Sequence, residues 1–154
     1  MSQILDIVKA IGLVSVETAS TTPVVFGVEN AMSSARKVPA RFIFPVQLET
    51  AEGTTTYKTI GSNPVLEHMW TVYDLMLFHS ASNTSSKLQF MPELVSYAAN
   101  YKTAFKSKAN QKLGLQHVTI EEIVTEWDDY TFPPKSNNDY HGVLVQLTIK
   151  EIEQ

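Results

Sequence analysis

Between Val65 and His79 the chain carries apolar side chains in both phases of an extended backbone. Trp70, Val72, Met76 and Phe78 fall on one side, and Tyr73, Leu75 and Leu77 on the other. A strand of that kind is stable only when both faces are covered, so the pattern predicts a central strand with helix on one face and protein or subunit contact on the other. Asp74 interrupts the first face. With no acid–base partner near it in sequence, Asp74 reads as a buried, hydrogen-bonded or interface carboxylate rather than as a catalytic acid.

The neighbouring segments are read against that strand. Ile4, Ile7, Val8 and Ile11 recur at helical spacing, with Ser2 placed to cap the start and Gly12 to end it. Val24 to Val28 is a short β-rich patch. From Pro39 to Leu48, Phe42, Phe44, Val46 and Leu48 alternate with Arg41, Pro45 and Gln47, which predicts a strand with one face on a core; Pro45 implies an edge or a bulge. Ala51 to Gly53 reads as a tight turn into a threonine-rich strand, Thr54 to Ile60, whose hairpin projects into solvent or onto a neighbour. Gly61 to Pro64 supplies another turn. A main helix is predicted from Pro92 onward, with Met91, Leu94, Val95, Ala98, Tyr101 and Phe105 as its apolar stripe and Lys102, Lys106 and Lys108 on its wet side. Val118 to Trp127 fits a helical stripe as well as a strand, and its β-branched content decides for a strand with a bulge. Tyr130 to Gly142 reads as a long exposed loop, and Val143 to Ile149 as a half-buried closing strand. The expected fold class is α+β: a mixed, mostly antiparallel β-sheet packed against an N-terminal helix and one main central helix, in a single domain over residues 1–154.

Composition narrows the chemistry. A chain of 154 residues, 44% hydrophobic, can bury a core of its own. A net charge of −4, with twelve scattered basic residues, argues against a protein built to grip nucleic acid. The absence of cysteine removes disulfides, thiolate metal sites and cysteine nucleophiles, and suits a reducing compartment. No apolar run approaches the ~20 residues that cross a bilayer, and no secretion signal is read at the start. No Gly-x-Ser-x-Gly elbow, phosphate loop or dinucleotide fingerprint occurs. His117, Asp139 and His141 would need to converge at one end of the sheet to hold a metal; loop and strand-end histidines in water are the plainer expectation. Glu121, Glu122, Glu126, Asp128 and Asp129 lack the spacing of a calcium loop and read as a solvated acidic face. Neither a catalytic group, nor a cofactor, nor a metal is expected.

The succession Val25, Phe26, Gly27, then Pro39, Arg41 to Pro45, then Trp70, Val72 and Phe78, the Leu94 to Phe105 helix, and finally Gly142 with the alternating last strand, resembles the neck and tail-completion proteins of tailed bacteriophages, the tail-terminator group above all. That resemblance spans Ile4 to Ile152 in order and pattern. It implies a structural virion subunit, assembled in the host cytoplasm and not an enzyme, that forms a homo-oligomeric ring, commonly sixfold, at the head-proximal end of the tail tube. The partners implied are other copies of the chain, the tail tube protein and the head–tail connector, with DNA passing through the channel without specific binding. Residue types that anchor interfaces select Arg41 and Tyr57 around the hairpin and Tyr130, Phe132 and Tyr140 in the late loop as the candidate interface residues. Two rival readings remain open: a small-ligand binding or regulatory module that dimerises through a sheet edge, and a hydrolase or metal enzyme using His79, Asp74 or the His117, Asp139 and His141 group.

Overall fold

A computed structural model describes residues 4–16, 24–26, 39–45, 53–60, 63–81, 87–131 and 139–153. Helix α1 (Ile4–Leu13) forms where the apolar spacing predicts it, burying Ile7, Val8 and Ile11, and Gly12 lies inside its last turn rather than beyond it. Strands β1 (Val24–Phe26), β2 (Ala40–Pro45), β3 (Gly53–Ile60) and β4 (Asn63–Ser80) follow. Then come helix α2 (Lys87–Ala104), the single-turn α3 (Lys108–Gln111), and strands β5 (Val118–Thr131) and β6 (Asp139–Glu153).

The six strands form one sheet in the order β1-β2-β4-β6-β5, with β3 also on β4. Every pairing is antiparallel except β1 with β2. The 18-residue β4 is the spine. Strand β6 runs along one side of it from Leu66 to Ser80, while β3 and β2 share the other side, against Asn63–Trp70 and Val72–Leu77. The fold is thus α+β, with a mixed, mostly antiparallel sheet packed against the N-terminal helix and one main helix.

The two-phase pattern of β4 does what it demands. Val72, Met76 and Phe78 join α1 and α2 in the main core, where Leu94, Tyr97, Ala98, Tyr101 and Phe105 come from α2 and Val143, Val145, Leu147 and Ile149 from β6. Leu75 and Leu77 face the other way, with Ala40, Phe42 and Tyr140, and Phe44, Tyr130 and Leu144 lie against them; among the described residues no helical side chain belongs to this second cluster.

Several local expectations are corrected. Strand β2 is buried on both faces, because Ile43 enters the helix-side core while Phe42 enters the second cluster. Its extension to Val46–Leu48 lies outside the described residues, as do Ser2 and Val28. Among the described residues strand β3 pairs with the strand that follows it, β4. Its register closes at Ile60↔Asn63 across Gly61 and Ser62, so Asn63 and Pro64 belong to β4 and not to a turn. Helix α2 starts at Lys87, which leaves Pro92 inside it, past the first-turn N–H groups that lack intrahelical acceptors, so one helical hydrogen bond is not made there. Val95 is exposed, and the buried stripe takes Tyr97 in its place. The β5–β6 hairpin is longer than read: Thr131 pairs with Asp139, so Tyr130 and Tyr140 stand on strands opposite each other. The expected bulge in β5 is present, as a register shift between Ile120 and Glu122.

Gly142 shows where the sheet tolerates no side chain. A Cβ there would stand 2.4 Å from the Met76 carbonyl oxygen and 3.3 Å from Leu77 Cδ2, next to the register shift between Leu77 and His79. Because the obstacle is backbone, it cannot swing away. Gly142→Ala should therefore destabilise by about 1–3 kcal/mol, as overpacking does, even though alanine generally suits folded chains better than glycine. Urea unfolding at equilibrium checks this; an unchanged midpoint would mean that the strands separate freely at this row.

Candidate functional site

The most elaborate polar arrangement is internal. Arg41 on β2 is 3% exposed and Asp74 on β4 is 0% exposed, although their strands pair in a register that sets Arg41 opposite Met76 and Ile43 opposite Asp74. The diagonal is spanned by the guanidinium: Nε donates to both Asp74 oxygens at 3.0 Å and Nη2 to Oδ2 at 2.6 Å. Its remaining N–H groups reach α1, where Nη1 donates to the Val14 carbonyl at 2.8 Å and Nη2 to that of Ile11 at 3.1 Å. Those carbonyls belong to the helix end, where acceptors lack intrahelical donors and the dipole favours a cation. From α2, the Tyr101 hydroxyl donates to Asp74 Oδ2 at 2.7 Å, and the Arg41 guanidinium carbon lies 5.8 Å from the Tyr101 ring centroid. One ion pair thereby ties β2, β4, α1 and α2 together.

Electrostatics follow from this geometry. Burial alone would lower the Arg41 pKa, but the Asp74 charge and its hydrogen bonds more than offset that and hold it above the ordinary value, so the cation persists at every working pH. Burial first, then the Asp74 charge, raise the Tyr97 and Tyr101 hydroxyls well above the usual tyrosine range, Arg41 opposing only in part. The Tyr97 hydroxyl is buried and lacks a hydrogen-bond partner among the described residues.

Two histidine–carboxylate pairs sit at the far end of the sheet. His79 Nε2 lies 2.8 Å from Glu93 Oε2, and His141 Nδ1 lies 2.6 Å from Asp129 Oδ1. Phe90 stands between the two rings, 4.2 Å from His79 and 5.3 Å from His141, centroid to centroid. His141 is buried, against the expectation of a histidine in water. His117 is exposed, takes the left-handed backbone at φ 60, and lies at the opposite end of the β5–β6 ladder, next to Ile152. The His117, Asp139 and His141 group therefore does not converge, and no cluster fit for a metal occurs among the described residues.

The surface offers two further features. Strand β5 is the outermost strand on the β6 side, and among the described residues it pairs only with β6. Glu121, Glu122, Glu126, Asp128 and Asp129 are exposed along it, together with Val124 and Trp127, 47% and 40% exposed. The bulged Glu121 reaches Lys150 at 2.9 Å. A groove of about 540 Å³ runs between the C-terminal ends of α1 and α2, lined by Ala10, Leu13, Val14, Ala104, Asn110 and Leu113.

The sequence-selected interface residues scatter over this landscape. Arg41 is buried in the single chain, bound to Asp74 and to the end of α1. Tyr57 stands on β3 opposite Leu66, and Phe132 lies outside the described residues. Tyr130 and Tyr140 sit together on the face opposite the helices, Tyr140 buried and Tyr130 half-buried, so they pack as a pair on strands rather than in a free loop. The β5 edge was read as an acidic face only, and Trp127 as part of its stripe; the pairing order that leaves it outermost is not visible in local pattern. No family model matches the chain, and no curated protein matches it either.

Proposed function

We propose that this chain is a structural subunit that closes into a homo-oligomeric ring at the head-proximal end of a phage tail tube, ending tube growth and joining the tail to the connector. The observation that carries this reading is the long outer strand β5, open along its edge among the described residues and flanked by exposed Trp127 and Val124. A long, exposed edge invites strand pairing, and aromatic residues beside it supply anchors for a partner. Polar groups that resemble catalytic machinery have partners within the chain: Asp74 holds Arg41 and Tyr101, His79 meets Glu93, and His141 meets Asp129. The acidic surface of β5 also suits a body through which DNA slides without adhering.

Static light scattering with negative-stain imaging tests the reading. The expected mass is a multiple of 17.2 kDa near sixfold, rising with concentration, and annular particles are expected in the images. Particles assembled without the protein should carry faulty tail ends. A chain that stays monomeric at high concentration sinks the reading. The groove between α1 and α2 favours a second reading, a ligand-binding module, and a stable dimer in the same scattering run would select it.

A further inference from the structure

Among the described residues the sheet ends in two open edges of unlike character, β5 on one side and β3 on the other. We infer that copies of this chain join by pairing the β5 edge of one with the β3 edge of the next, so that one antiparallel sheet runs through the whole ring. The inference rests on the ring reading above and specifies its contact.

Direction and charge both favour that match. Strands β3 and β6 both run antiparallel to β4, and β5 runs antiparallel to β6, so β5 and β3 point in opposite directions. A head-to-tail repeat that keeps the same face of the sheet outward therefore brings them together antiparallel. It also makes the contact heterologous, as a closed ring requires. Strand β5 carries five acidic residues and no Lys or Arg, whereas β3 carries Lys58 and no acid. Pairing of β5 with its own copy, the route to a twofold dimer, would lay one acidic row along the other, Glu122 opposite Glu126 in one register and opposite Asp128 in another, and like charges directly opposed are destabilising. On β5 these residues register with Thr148, Leu144 and Gly142, on the sheet face away from the helices; on β3, Lys58 registers with Val65. A continued sheet thus places the lysine strand beside the acidic row. Strand β1, the other strand at that edge, offers three residues and no charge.

Two charge-reversed variants test the pairing by light scattering. Glu122→Lys with Glu126→Lys makes β5 basic, and Thr56→Glu with Lys58→Glu makes β3 acidic. Each alone should need at least about tenfold more protein to assemble than the parent chain. An equimolar mixture should recover the parental behaviour, because each altered edge then meets its complement. Circular dichroism and thermal melting establish that each variant is folded. As a measurement free of substitutions, amide exchange in the parent chain should slow with concentration in residues 53–60 and 118–131 together. Rings that persist in both variants, or protection confined to β5, overturn the edge match while leaving the ring intact. A parent chain that never assembles overturns both.

Discussion

Replacing Arg41 by Met should lower the unfolding free energy by about 3–5 kcal/mol, the cost of leaving one member of a buried ion pair without its counter-charge. Asp74, with no exposed surface, would keep the Tyr101 hydroxyl as its one remaining partner from this set, and the Val14 and Ile11 carbonyls would lose their guanidinium donors, leaving Ile11 with the Val14 N–H. Lysine should rescue little of this. Its point charge cannot address the carboxylate and two helix carbonyls at once, as the planar guanidinium does. If the loss arises from an orphaned charge, then Arg41→Met combined with Asp74→Leu should be more stable than Arg41→Met alone, since an apolar pair of similar volume removes the desolvation cost. Urea unfolding of the four chains of this cycle decides it. A single variant within about 1 kcal/mol of the parent would place the pair with ordinary surface bridges, and the proposed tie between sheet and helices would be wrong.

That ion pair also shows where reading the chain alone reaches its limit. Periodicity is a local signal, so β4 was legible: apolar residues in both phases require cover on both faces, whatever the partners. The helix stripes of α1 and α2, and the bulged β5, were legible for the same reason. Asp74 was recognisable as a buried carboxylate, but its partner stands 33 residues away. Arg41 alternates with phenylalanines, and an arginine in that phase looks like the wet side of a half-buried strand. Only the packing of α1 over β2 turns that side into interior. Tyr97 escaped because a tyrosine between Val95 and Ala98 is not needed to complete an apolar stripe. The pairing of β3 with β4 was harder to see, because Gly53 and Gly61 both carry turn character and composition does not say which of two turns is tight. The open edge of β5 belongs to topology, which no single segment records.

Alkaline pH should unfold the protein far more steeply than a surface set of tyrosines would allow. Burial, followed by the Asp74 charge, holds the Tyr97 and Tyr101 hydroxyls protonated in the folded chain well above the 10.0 at which the free side chain ionises. In the window above about pH 10 the unfolded chain therefore binds fewer protons than the folded one, and stability that is complete below that pH is lost as pH rises. Each such tyrosine contributes a slope of about 1.4 kcal/mol per pH unit, so the pair gives about 2.7. Tyr130 is raised too, by partial burial and then by Glu126 and Asp128, but it is half-exposed and solvent screens much of its share. Two substitutions separate the sources. Tyr97→Phe removes a hydroxyl that has no partner among the described residues, so it should leave stability at neutral pH nearly unchanged and reduce the alkaline slope by one proton. Tyr101→Phe removes the same slope but also the hydrogen bond to Asp74, and should cost about 1–3 kcal/mol at neutral pH as well. Urea midpoints measured from about pH 8 upward give both numbers. An alkaline slope in Tyr97→Phe equal to that of the parent would show that this hydroxyl does not hold its proton in the folded chain, and the buried site around Asp74 would have to be more open to water than its packing implies.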